Sequence, residues 1–127
     1  MLRVHHLAIV VRDLAVAESF YSGVLGLPVT QRWQGPDGLP RSVWVQLEED
    51  AFLALEKAAA DSPVRTDKAP GMHCLAFAIP RREREDYRAR LTAAGFPIEQ
   101  ETRFTLYVRD PDNNLIGFSH HPDGTFE

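Results

Sequence analysis

The chain has one cysteine, Cys74, in 127 residues, so no disulfide can form within it and a reducing compartment is the simplest setting. It lacks a basic excess: the formal net charge is −4, which removes the usual electrostatic basis for holding nucleic acid. Arg81, Arg82, Arg84, Arg88 and Arg90 do cluster, but Glu83, Glu85 and Asp86 are interleaved, the pattern of a solvated helix face. Long apolar runs are missing too. The stretch Leu7 to Val11 is bracketed by Arg3 and Arg12 and is too short for a signal core or a membrane span. No glycine-rich phosphate loop and no Ser-His-Asp order occurs. What is left is a small domain of ordinary composition, 44% hydrophobic and 25% charged, expected in the cytoplasm with neither nucleic acid nor membrane as partner.

What is present is a repeat. The stretch Val4-His5-His6-Leu7-Ala8-Ile9-Val10-Val11 returns as Met72-His73-Cys74-Leu75-Ala76-Phe77-Ala78-Ile79, each a histidine-led β-prone run followed by a helical pattern. Gly26-Leu27-Pro28-Val29 returns as Gly95-Phe96-Pro97-Ile98 at nearly the same spacing. Two landmarks at matching offsets point to a duplicated supersecondary unit.

In the first copy the pattern predicts a strand from about Leu2 to Val11 and a helix from the N-cap Asp13 to about Leu25, where Gly26 ends it. Three strands follow: Val29 to Gln34, Arg41 to Leu47 and Ala51 to Glu56. The second copy predicts a strand from Met72 to Ile79, a helix from Pro80 to about Ala94 burying Tyr87, Leu91 and Ala94, then strands Ile98 to Glu101, Thr105 to Arg109 and Leu115 to His120. The fold class is therefore α+β: two paired βαβββ modules, about 1–57 and 72–121, joined by a linker of about 58–71 within one domain spanning 1–127. A sheet covered by one helix buries one face, so two such sheets curved together would enclose a cup lined by their free faces. Side chains alternate across a strand, which places His6, Ala8 and Val10 opposite the core set Leu7, Ile9 and Val11. By that alternation His6 faces the cup; His73, taken as its counterpart, is expected to do the same. Cys74, read as the counterpart of Leu7, is expected to face the helix as a small buried hydrophobe.

His6-Leu7-Ala8-Ile9, Phe20-Tyr21-Ser22-Gly23-Val24-Leu25-Gly26-Leu27 and Asp110-Pro111-Asp112-Asn113-Asn114-Leu115-Ile116 together resemble the vicinal-oxygen-chelate superfamily. That superfamily includes glyoxalase I, extradiol dioxygenases, fosfomycin-resistance transferases, methylmalonyl-CoA epimerase and bleomycin-resistance proteins. The resemblance implies a cup that takes a small molecule, a homodimer and, in metal-dependent members, a divalent cation held by a first-strand histidine and a last-strand carboxylate of each module. His6 and His73 match the histidine positions. Ala54 and Gly117 stand at the carboxylate positions, and Glu56 lies two residues beyond the first.

Two readings follow. In one, His6, His73 and Glu56 hold Fe, Mn, Ni or Zn as a two-His-one-carboxylate centre, with Glu56 as third ligand or general base, and the chain is a glyoxalase- or dioxygenase-type enzyme acting on an oxygenated substrate. In the other it is a metal-free protein of the bleomycin-resistance type that sequesters an aromatic or cationic compound. Arg41 and Arg109 are candidates for an anionic substrate group. Trp33, Trp44, Phe52, Phe77, Tyr107 and Phe118 are expected mostly in the core, and His120, His121 and the tail Pro122-Asp123-Gly124 in solvent.

Overall fold

The computed structural model describes residues 1–124, and these form two compact units, one ending at Pro63 and the other beginning at Val64. In the first, β1 (His6–Val11) leads into α1 (Leu14–Glu18), which widens into a π-helical turn over Ser19–Val24, and β2 (Val29–Gln34), β3 (Pro40–Gln46) and β4 (Phe52–Lys57) follow. The sheet order is β1-β4-β3-β2, with β1 parallel to β4 and the other pairs antiparallel. Asp13 caps α1 by accepting a hydrogen bond from the Val16 N–H at 3.1 Å. Gly26 (φ 80) closes the helical segment in the left-handed region that suits glycine.

The core follows strand alternation. Val11, Val43, Val45, Leu53 and Leu55 are buried with Leu14, Ala17, Phe20 and Tyr21 of the helical segment. Each such aliphatic side chain contributes about 1.5–3 kcal/mol when removed from water.

The second unit repeats the plan: β5 (Cys74–Ala78), a 3-10 turn at Arg81–Glu83, α2 (Arg84–Ala93), β6 (Gln100–Glu101), β7 (Thr105–Arg109) and β8 (Leu115–Ser119), in the order β5-β8-β7-β6. Leu91, Leu106, Val108, Ile116 and Phe118 form its core, and Tyr87 of α2 stacks on Phe118 with ring centroids 5.3 Å apart. Ala94 is exposed, outside the expected helix stripe. The buried Asp110 carboxylate accepts the N–H groups of Asp112 and Asn114, so the Asp-Pro-Asp-Asn-Asn motif is the turn that joins β7 to β8.

His120 departs from the expectation of a solvent position. His120 is buried, its Nε2 lies 2.8 Å from Arg84 Nη1, and its Nδ1 meets the Asp123 carbonyl. A guanidinium can only donate, so Nε2 is the acceptor and the Nδ1 proton goes to Asp123. His121 is exposed as expected. Among the described residues no helix is long and apolar enough to cross a membrane.

Candidate functional site

The face of the first sheet away from its helix is set by register. Partners across a ladder share a face, so His6 lies with Phe52, Ala8 with Ala54 and Trp44, and Val10 with Glu56, Ser42 and Trp33. An aromatic series runs diagonally over this face. The His6 imidazole stacks on Phe52 at 4.8 Å and 6°, Phe52 stacks on Trp44 at 4.1 Å and 19°, and Trp33 tilts against Trp44 at 5.3 Å. His5 closes the series edge-on to Phe52 and His6, its Nδ1 2.8 Å from that of His6. Each such ring pair adds about 0.5–1.5 kcal/mol beyond its buried area. Trp33 remains 41% exposed at the β2 edge, and His6 and Ala8 are exposed at the β1 edge, so π surface is left open.

The same register separates two of the expected ligands. Glu56 is paired with Val10, four residues beyond His6, or about 13 Å along the strand. The His6 ring lies flat on Phe52, and the Glu56 carboxylate accepts a hydrogen bond from Ser42 Oγ at 3.1 Å on the strand away from β1. Donors to a common ion must each reach to about 2.0–2.2 Å of it; these two are turned apart.

The small residues at the carboxylate positions are also packed in. Ala54 is 2% exposed between Ala8 and Trp44. A Cβ on Gly117 would stand 3.1 Å from Tyr107 Cε1, 3.3 Å from Ala76 Cβ and 3.3 Å from Thr105 Cγ2. The row Ala8–Ala54–Trp44 therefore has its twin in Ala76–Gly117–Tyr107.

That correspondence corrects the match of the two histidines. If Ala8 corresponds to Ala76, then Cys74 corresponds to His6 and His73 to His5. Cys74 pairs with Leu115 on the face of Ala76 and Gly117, opposite the helix-facing Phe77 and Phe118, contrary to the expectation that it points at the helix. His73 lies before the strand begins, exposed. Burial pushes the Cys74 thiol pKa up, against weaker opposing effects from the Gly117 backbone and Arg109. Among the described residues no three His, Cys, Asp or Glu side chains gather in a group that could hold a metal ion. The donors present do not fit the multi-ligand centre that the resemblance implies.

Arg109 is not available to an anionic substrate group either. Its guanidinium takes both Asp67 oxygens, at 2.8 and 2.6 Å, and Glu99 at 2.6 Å. The bond to Asp67 raises the Arg109 pKa, and in return Arg109 lowers that of Asp67. Arg41 is exposed.

Phe77 and Phe118 are packed together, with centroids 5.9 Å apart, but the expectation of core positions fails for Trp33, Trp44 and Phe52. Their parity held the signal. Trp44 is out of phase with the buried Val43 and Val45, and Phe52 with Leu53 and Leu55, which places both with His6.

The sequence matches the Glyoxalase/Bleomycin resistance protein/Dioxygenase superfamily over residues 3–118. The mitochondrial methylmalonyl-CoA epimerase of Mus musculus is 36% identical over 81 residues, which cover 61% of this chain and 46% of that protein. The chain thus spans about half the length of the curated relatives it matches. A lactoylglutathione lyase from Agrobacterium tumefaciens superposes with a TM-score of 0.68 at 25% identity, covering 92% of each chain. A fosfomycin resistance protein from Listeria monocytogenes, complexed with Mn(II) and a dihydroxypropylphosphonic acid, superposes with a TM-score of 0.77 at 16% identity, covering 97% of this chain and 95% of that one; this likeness concerns the fold alone.

Proposed function

Because this chain belongs to the Glyoxalase/Bleomycin resistance protein/Dioxygenase superfamily, we propose that it works as a small-molecule-binding protein that holds a flat ligand on the open face of its first sheet, without a metal at its centre. The observation that carries this is the aromatic series Trp33–Trp44–Phe52–His6, which leaves stacking surface exposed beside the low floor of Ala8 and Ala54. Pockets for small molecules are typically apolar and aromatic with a few placed polar groups, and here Ser42 and Glu56 supply those.

The second reading is an enzyme acting on an oxygenated substrate at a divalent ion. It is favoured by the exposed His6 at the first-strand ligand position and by the epimerase and lyase names among the relatives. A cytoplasmic location and a homodimer belong to the proposal under either reading.

The two tryptophans of the chain both lie in the series, so their fluorescence reports on the face directly. Titration with flat heteroaromatic compounds, neutral and charged, should quench them, and Trp44→Ala should weaken binding by about tenfold. Protein dialysed against Fe(II), Mn(II), Ni(II) or Zn(II) in turn should keep far less than one equivalent. A full equivalent that disappears in His6→Ala would establish the enzyme reading instead.

A further inference from the structure

The twin modules serve as an internal control on one residue. In the second sheet the row next to Tyr107 and Gly117 joins β7 to β8 through Thr105 and Ser119, with Thr105 Oγ1 and Ser119 Oγ 2.8 Å apart. In the first sheet the same row joins Ser42 to Glu56 at 3.1 Å. Ser42 and Thr105 are both buried, so the fold asks for a polar partner at this place and a neutral hydroxyl satisfies it. Glu56 supplies a carboxylate where the twin manages with Ser119.

Among the described residues that carboxylate has no cation of its own. Glu18 has Arg32, Asp67 has Arg109, and Glu101 has Arg84 and Arg88. Glu56 is half-buried, and its polar partner among the described residues is the neutral Ser42 hydroxyl. A charge at this place is not explained by an ion pair within the described residues. Keeping one at a place that does not need it calls for a partner from outside.

The surroundings say what kind of partner. Glu56 follows Ala54 by two residues on the same face, about 6.6 Å along the strand. Trp33 lies in the same row two strands away, beyond Ser42, Trp44 stands one row along beside Ala54, and Val10 next to Glu56 is 64% exposed. An anion that shares a sheet face with a series of aromatic rings suits a flat organic cation. The ring packs on the aromatic series, and the positive charge is drawn both by the carboxylate and by the negative faces of the indoles.

We infer that Glu56 makes this face selective for cationic flat ligands, such as quaternised or protonated heteroaromatic amines, over their neutral isosteres. The inference rests on the reading of the open face as a binding surface. It assigns Glu56 to ligand recognition, not to metal ligation.

The test uses two probes of nearly the same shape, 1-methylquinolinium, a permanent cation, and quinoline, neutral at about pH 7.5. Calorimetric titration of the full chain should give a dissociation constant for 1-methylquinolinium about tenfold or more below that for quinoline. Glu56→Gln, which keeps an acceptor for Ser42, should bring the two within about twofold while leaving quinoline unchanged. Glu56→Ser, which copies the twin, should do the same and should fold as the wild type does. Equal binding of both probes by the wild type would overturn the selectivity and leave the binding surface standing. If neither probe binds, the binding surface falls and the selectivity with it. A preference for the cation that persists in both variants would remove Glu56 from the account.

Discussion

Gly117 shows how little room the second sheet leaves at the position where the family implies a carboxylate. Tyr107, Ala76 and Thr105 already crowd the place a first side-chain carbon would take. The site is therefore not restored by substitution alone. Gly117→Glu should lower stability by about 1–3 kcal/mol in urea denaturation, the ordinary cost of overpacking, and should gain no metal. Stability equal to the wild type would mean that the Tyr107 ring yields freely. At the same scale, alternation correctly set His6 apart from its apolar neighbours. It could not show that Cys74, not His73, holds the matching place, because two histidines invite pairing by identity while Leu7-Ala8 and Leu75-Ala76 align the strands one residue differently.

Three carboxylates with lowered pKa tie neighbouring elements together through arginine. Glu18 at the end of α1 meets Arg32 of β2, Asp67 holds the segment before β5 to Arg109 of β7, and Glu101 of β6 meets Arg88 of α2. In each case the hydrogen bond to arginine is the chief cause of a lowered carboxylate pKa. A carboxylate with a lower pKa folded than unfolded binds fewer protons in the folded state. Its contribution is complete above the ordinary carboxylate range and is lost as pH falls through the lowered value. The urea midpoint should fall between about pH 5 and about pH 3, and the fall should be smaller in a combined Glu18→Gln, Asp67→Asn, Glu101→Gln variant. An unchanged acid limb in that variant would assign acid sensitivity to other groups. These pairs are exposed enough for solvent to screen them, so the direction of the change is the prediction.

At the scale of the whole molecule, duplication sets the plan. Each unit carries its own four-stranded sheet, helix and core, and the proposed recognition of a ligand rests on differences between the twins. Glu56 against Ser119 is one such difference, and Phe52 against Leu115 is another. β1 has a ladder partner on one side, and Leu2, Val4 and Val10 on or before it are exposed. An apolar edge of this kind is normally covered, in line with the proposed homodimer. Sedimentation at micromolar concentration should give twice the 14.3 kDa of one chain. A monomer at that concentration would withdraw the dimer.

The sequence by itself determined the α+β class, the duplicated βαβββ order and most element positions, down to matching bounds for Val29–Gln34 and Thr105–Arg109. Hydrophobic periodicity and turn residues act locally, so they can be read along the chain. Tertiary structure alone decided that Glu56 turns to Ser42, that Arg109 is taken by Asp67 and Glu99, and that His120 is buried against Arg84. Those outcomes depend on ladder register and on residues far apart in the chain, where a one-residue shift exchanges the two faces of a strand.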